Sequence, residues 1–258
     1  MTQTTVLTIA GSDPTGGAGI QADLRTFDRL GVHGFSVITA ITAQDSRGVR
    51  WVSSVSEKAF TSQLESVLHD GTPAAVKTGM LLSATNVLTT ARLLAEVSVP
   101  VVVVDPVLVS SNGVPLLEKE GYAPLVEHLF PLAVVVTPNV DEAELLTGLE
   151  SSDFDDEAKW VEAMCHEILA LGPKNVVITG GHRRGDPIDL LFDGRCFQAF
   201  AGPRIGKTLH GSGCRFSAAL TAHLAQGEAL TGALNRAKGY TAACFEEEGA
   251  NPPLSPTK

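Results

Sequence analysis

The chain is poor in cysteine, poor in basic residues and without a long apolar run. Its four cysteines are Cys165, Cys196, Cys214 and Cys244, and no two form a C-x-x-C pair. No leader pattern is read ahead of them. A disulfide framework and a zinc site are therefore not expected, and reduced cytosolic thiols are. The seven histidines are scattered, with no metal-ligand spacing. Lys and Arg number 19 against 29 Asp and Glu, a formal net charge of -10. That deficit argues against a nucleic-acid or anionic-membrane surface, both of which need a basic face. No apolar stretch approaches the ~20 residues of a membrane span. No internal repeat or low-complexity stretch is present. The expectation is a soluble, cytoplasmic protein with no nucleic-acid or membrane partner. An anion would have to be held by local positive potential: a helix terminus, a few Lys or Arg, or Mg²⁺.

What the chain does have is core-forming material. Of its 258 residues 44% are apolar, enough for a substantial core. A single domain over residues 1–250 is expected, followed by a loose tail over 251–258 that contains Asn251-Pro252-Pro253. Short β-branched runs alternate with helical patterns. Strands are read at 6–9, 35–39, 51–55, 74–77, 101–104, 134–136 and 176–178. Helices are read at 20–30, 56–68, 84–97, 212–225 and 230–247. Asp193-Gly194 between 190–192 and 196–200 is a hairpin signal, giving the sheet an antiparallel margin. Continuous apolar strands separated by helices imply an open α/β fold with a mostly parallel sheet.

The residues just past the strands carry the chemistry. They are Gly11 to Gly19, Gln44-Asp45, Thr78-Gly79-Met80, Asp105-Pro106, Pro138-Asn139 to Glu142, and Gly180-Gly181-His182. Ligands of open α/β sheets bind beyond the carboxyl ends of the strands. Near the other end, His210-Gly211-Ser212-Gly213-Cys214 runs straight into a helical pattern. Free N–H groups and the positive end of a helix dipole suit an anion there. Two glycine loops so far apart in sequence suggest a phosphate-handling site assembled from both ends. Plainer readings stand beside these. Asp105-Pro106 is ordinary turn chemistry. Asn139-x-x-Glu142 is a helix start with a dipole-favourable carboxylate. Met80 and Val107 read as core, Gln44 as a solvated loop residue and Cys214 as a small buried hydrophobe. At a helix N-terminus, Cys214 is instead expected to have a lowered pKa and thiolate character. Ala201-x-x-x-x-Gly206-Lys207-Thr208 matches a relaxed Walker A pattern but is rejected, because Leu209 to Gly213 delays the helix.

The combination is more specific than its parts. Leu7 to Asp23 and Val37 to Gln44 resemble the bacterial hydroxymethylpyrimidine/phosphomethylpyrimidine kinases of thiamine biosynthesis. The match continues through Ala75 to Leu81, Asp105-Pro106-Val107, Thr137-Pro138-Asn139, Glu142 to Leu146, Gly180-Gly181-His182 and His210 to Cys214. It covers nearly the whole chain in the right order.

The resemblance implies a ribokinase-like three-layer αβα sandwich, usually a homodimer. It implies two ATP-dependent steps. The first phosphorylates 4-amino-5-hydroxymethyl-2-methylpyrimidine, and the second turns the monophosphate into the pyrophosphate. Carried over by position, Gln44 would bond the aminopyrimidine edge. Gly11 and Ala18 would approach the ring through backbone, with Met80 and Val107 as apolar walls and Asp23 on the substrate side. Asp105 and Glu142 would lie by Mg²⁺ and the phosphates. N–H groups from Gly211, Ser212, Gly213 and Cys214 would form an anion hole, with Cys214 standing where sugar kinases of the superfamily carry an Asp base. Asn139, Thr179 and Lys238 fall on the nucleotide side. Two positions depart from the pattern: Thr179 stands where many relatives carry Lys, and Leu209 replaces a polar residue. Arg183, Arg184 or Lys207 are candidates to replace that lysine, and 182–187 is a candidate lid. The rival readings are a pyridoxal or pyridoxine kinase of the same superfamily and a pyrimidine-binding protein without phosphoryl transfer.

Overall fold

Residues along a strand face opposite ways in turn, and here both faces are apolar. The computed structural model describes residues 3–45, 48–180, 188–202 and 209–248. Within these the chain runs β1 (Thr5–Ser12), α1 (Gly19–Arg29), β2 (His33–Asp45), β3 (Gly48–Ser54), α2 (Glu57–His69), β4 (Ala75–Thr78), α3 (Ala84–Val97) and β5 (Val102–Val104). It continues through α4, a single turn at Tyr122–Pro124, then β6 (Val135–Val136), α5 (Val140–Thr147), α6 (Glu157–Ala170) and β7 (Val176–Ile178). It closes with β8 (Ile188–Phe192), β9 (Phe197–Ala201), α7 (Ser212–Ala225) and α8 (Leu230–Glu248).

Leu7, Ile9, Val76, Val102, Val104, Val136, Val176 and Ile178 pack with Phe60 and Leu64 of α2, Leu94 of α3, Ala143 of α5 and Met164 of α6. The residues between them turn to the other side. Val103, Val135 and Val177 meet Phe216 and Leu220 of α7 and Leu234 of α8, while Val6 and Ala75 meet Phe27 of α1 and Ala218 of α7. The valine runs are strands buried on both faces, and the three layers follow from that alternation.

The nine strands form one sheet in the order β3-β2-β1-β4-β5-β6-β7-β8-β9. The six from β2 to β7 in that row are parallel. Antiparallel pairs close both margins rather than one: β8 and β9 at the Asp193-Gly194 hairpin, and β3 on β2. The second margin exists because β2 is 13 residues long and continues as far as Asp45. The strand order reverses at β1, which lies between β2 and β4. A reversal of this kind opens a crevice at the carboxyl edge of an α/β sheet. The glycine loop 11–19 leaves β1 at that point.

Among the described residues, no helix is long and apolar enough to cross a membrane. The tail 251–258, the segment 182–187 with Arg183 and Arg184, and Lys207 lie outside the described residues.

Candidate active site

The two glycine loops meet. Asp13 follows β1, and its side chain is only 2% exposed. One oxygen accepts from the Thr15 N–H at 2.8 Å, and the other accepts from the Ala18 N–H at 2.8 Å and lies 3.0 Å from His210 Nε2. Burial alone would push this carboxyl up, but the bonds from His210, Ala18 and Thr15 hold it well below the usual carboxylate range. The contact is steric as well as polar. A Cβ at Gly17 would sit 2.5 Å from His210 Cδ2, and one at Gly211 would sit 2.2 Å from the Gly17 carbonyl oxygen. Gly211 also has φ +73°, so glycine is required there twice over.

The apolar residues expected to face a ring come together. Met80 packs with Ala40 and Leu116, and Val107 lies against the same cluster. A Cβ at Gly11 would come within 2.9 Å of Met80 Sδ, so Gly11 presents bare backbone beside the Met80 side chain. Gln44 is half-buried near the end of β2. The Ala18 N–H is taken by Asp13. One expectation changes. Asp23 is not on the site surface: it is 0% exposed and held by Thr8 Oγ1 at 2.6 Å and Lys77 Nζ at 2.8 and 2.9 Å. It lies under the floor, tying α1 to β1 and β4.

On the anion side, α7 starts at Ser212 with Gly211 as its left-handed N-cap. The Ser212 N–H bonds the Leu209 carbonyl at 3.2 Å, so it is spent inside the loop. First-turn position leaves the N–H groups of Gly213 and Cys214 without a carbonyl partner in the helix. Cys214 is half-buried, and its sulfur takes the Gly19 N–H at the start of α1. Two helix starts thus point at one thiol. The thiol is nevertheless pushed up to about 12, against the lowered value expected from sequence. Burial is the main cause and Asp23 and Asp105 add to it, outweighing Lys77 and the Gly19 N–H. Burial thus favours the protonated form of Cys214.

Lys77 is the positive charge beneath this ring of groups. Burial would strip its proton, but Asp23 first, then Cys214 and Asp105, hold it on. Asp105, past the end of β5, accepts from the Ser217 hydroxyl of α7 at 2.8 Å. Burial raises its pKa, with Lys77 and Ser217 opposing. Glu142 and Asn139 form a reciprocal capping box at the start of α5: the Glu142 N–H donates to Asn139 Oδ1 and the Asn139 N–H to Glu142 Oε2, both at 2.9 Å. The plainer reading of this pair is therefore realised, and the capping carboxylate is at the same time coupled to Asp105. Burial and then Asp105 push Glu142 up to about 8. Flanking Asp105 are Thr78, the last residue of β4, and Thr137, just past β6, whose buried hydroxyls have no bonding partner among the described residues.

The nucleotide-side candidates gather across β6 to β8. Asn139 bridges to Thr179, whose N–H bonds the Pro138 carbonyl at 2.9 Å. Asp189 accepts from the Gly180 N–H at 2.9 Å and from Lys238 Nζ at 2.6 Å. Lys238 is thereby fixed to the strand beside Thr179.

Glu142 gives a sign that can be checked. A carboxyl whose folded pKa is above its ordinary value stabilises the fold below that ordinary value and loses the contribution as pH rises towards the folded one. In the absence of divalent cations, stability should therefore fall between about pH 4.5 and about pH 8. Glu142→Gln keeps the cap and removes the titration. Its melting temperature relative to the parent should climb from pH 5 and level off above about pH 8. A pH-independent difference would contradict the upward push on Glu142 by burial and Asp105.

A model of the phosphomethylpyrimidine kinase family matches residues 13–252. The chain belongs to the phosphomethylpyrimidine kinase family. It is 44% identical over 243 residues to a hydroxymethylpyrimidine/phosphomethylpyrimidine kinase of Bacillus subtilis, covering 93% of this chain and 88% of that one. It is 47% identical over 242 residues to a thiamine biosynthesis bifunctional protein of Geobacter sulfurreducens, covering 93% of this chain and 49% of that protein. The chain thus spans about half the length of that relative. Among solved structures, a phosphomethylpyrimidine kinase from Clostridium difficile is 40% identical with a TM-score of 0.82, over 94% of this chain and 100% of that one. A pyridoxal kinase from Staphylococcus aureus, solved with AMP-PCP and pyridoxal, is 32% identical with a TM-score of 0.85, over 95% and 89%.

For a phosphomethylpyrimidine kinase, the residues missed in the sequence are those below the surface. Lys77 sits inside a quoted motif but reads there as an odd strand residue, and its partner Asp23 is 54 positions away. Ser217 reads as one more small helix residue. Asp13 reads as turn punctuation before Pro14. A lysine between Val76 and Thr78 in a strand with both faces covered was the one available signal, because a buried charge needs a partner.

Proposed function

We propose that this phosphomethylpyrimidine kinase moves the terminal phosphoryl group of ATP first to 4-amino-5-hydroxymethyl-2-methylpyrimidine and then to its monophosphate. The observation that carries the reading is the convergence of the α1 and α7 starts on Cys214. First-turn N–H groups, a thiol and the buried Lys77 charge beside Asp105 support an anion-handling role. Gln44 bonds the aminopyrimidine edge, since one amide both donates and accepts. Met80 and Val107 cover the ring faces, and the Gly213 and Cys214 N–H groups meet charge on the phosphoryl oxygens as they transfer. Cys214, in its thiolate fraction, takes the hydroxymethyl proton and returns to the thiol. The second acceptor is already an ionised phosphate and needs no base. Thr179 and Lys238, through Asp189, border the nucleotide.

The donor set suits Mg²⁺. Asp105 and Glu142 are buried carboxylates that repel each other, and the unpartnered Thr78 and Thr137 hydroxyls flank Asp105. These two carboxylates would hold the ion partly through water, as Mg²⁺ prefers. The bound ion would neutralise phosphate charge. The chain is a single ribokinase-like domain over residues 1–250, working as a homodimer in the cytoplasm.

A second reading, pyridoxal phosphorylation, is favoured by the likeness to the pyridoxal kinase. The test of phosphoryl transfer is release of ADP from Mg-ATP. ADP is expected when hydroxymethylpyrimidine is present and not in its absence. ADP release that ignores the acceptor would contradict the assignment.

A further inference from the structure

Ser110 to Gly113 forms a turn in the segment that follows β5, closed by the Gly113 N–H on the Ser110 carbonyl at 2.9 Å and the Ser110 N–H on the Val114 carbonyl at 2.9 Å. Its tip reaches β3, the margin strand paired with β2. Asn112 Oδ1 accepts from the Val49 N–H at 3.3 Å, and Asn112 Nδ2 donates to the Val49 carbonyl at 3.0 Å. The side-chain amide therefore pairs with both outward groups of Val49, as a neighbouring strand would, on the margin strand β3. Ser110 Oγ donates to the same Oδ1 at 2.7 Å and fixes the amide's orientation. Gly48 leaves room for it, since a Cβ there would fall 2.5 Å from Asn112 Cγ.

Val49 is the register partner of Gln44. The register slips at this point: Ala43 faces Trp51 and Gln44 faces Val49, so Arg50 is a bulged residue. Bulges re-aim neighbouring side chains and are found beside active sites. Left alone at the end of a margin hairpin, a bulge of this kind can migrate by one residue. Asn112 pins one side of it, and the Arg50–Asp45 ion pair ties its two strands. The segment that carries Asn112 also carries Val107 and Leu116, which pack with Ala40 of β2 and Met80. One piece of chain thus supplies an apolar wall and the clasp on the opposite edge.

We propose that Asn112 is a positioning residue for pyrimidine recognition: by pinning Val49 at the bulge, it fixes the direction of the Gln44 amide and so sets selectivity for a ring bearing an exocyclic amino group. The proposal rests on the assignment of Gln44 to the aminopyrimidine edge.

The test is a double-mutant cycle read by steady-state kinetics with the full chain. Asn112 is exposed, so Asn112→Ala should fold. Asn112→Ala is expected to raise KM for hydroxymethylpyrimidine about tenfold, the loss of roughly one net hydrogen bond. The kcat and the KM for ATP should stay put, and the preference for hydroxymethylpyrimidine over pyridoxal should fall with the affinity. Asn112→Asp keeps the acceptor but loses the donor to the Val49 carbonyl, and should behave like the alanine variant. In a Gln44→Ala background, Asn112→Ala should have no further effect. An equal effect in both backgrounds would overturn the proposal. So would an unchanged KM in Asn112→Ala while Gln44→Ala raises it. If Gln44→Ala itself leaves KM unchanged, the assignment of Gln44 fails, and the proposal falls with it.

Discussion

Lys77→Met should lower the stability of the fold by about 3–5 kcal/mol, the usual cost of leaving one buried charge without its partner. The Lys77 ammonium and the Asp23 carboxylate are both wholly inaccessible, and both carboxylate oxygens lie within 2.9 Å of Nζ. Burial lifts the Asp23 carboxyl, and Lys77 is the first group that opposes the lift. Without the lysine, Asp23 keeps only the Thr8 hydroxyl among the described residues. The loss should grow as pH rises, because the lone carboxyl keeps its proton only at low pH. Replacing both partners removes the stranded charge, and buried pairs exchanged for apolar groups are often neutral. Lys77→Met with Asp23→Leu should thus recover most of the stability. It should not recover turnover, because the charge that faces Cys214 and Asp105 is gone. Urea unfolding and ADP release measured on the two variants check both halves. A single-variant cost under about 1 kcal/mol would mean that the pair is not the buried unit described, since even an exposed pair can contribute that much.

Cys214→Ala should slow phosphorylation of the hydroxymethyl group by about 10²–10⁴-fold, the range of general-base catalysis, and phosphorylation of the monophosphate by far less. The distinction lies in the acceptors: one must lose a proton and the other has already lost it. The thiol, pushed up to about 12 by burial, adds a pH signature. Well below that value the thiolate fraction rises tenfold per pH unit. The first step should therefore climb with pH from 6 to 9 in single-turnover measurements, and the Cys214→Ala variant should lose that slope. Equal losses in the two steps would make Cys214 a group that shapes the anion hole and nothing more.

The central parallel strands were legible because their apolar residues run without a break, which only a sheet covered on both faces demands. Val102 to Val104 and Val176 to Ile178 leave no other reading. The long stretch between β5 and β6 was not legible. Its helical turns from Lys119 to Leu132 pass through 3₁₀, α and π geometry around Pro124 and Pro131, so no single period runs through them. The site divides in the same way. Glycine loops, Asp105 and the Asn139–Glu142 cap announce themselves by local chemistry. The state of Cys214 does not, because helix-start logic pulls it down and burial among Lys77, Asp23 and Asp105 pushes it up. That balance depends on four elements far apart in the chain. Asp23 failed as a substrate contact for a related reason: a motif gives the position of a residue but not its depth.

The most direct test of the account is incubation of the purified protein with Mg-ATP and one of four acceptors, hydroxymethylpyrimidine, its monophosphate, pyridoxal or ribose, with products followed by mass. The account predicts one added phosphate on hydroxymethylpyrimidine and a second on the monophosphate. Turnover of pyridoxal alone, or of none of the four, would contradict it.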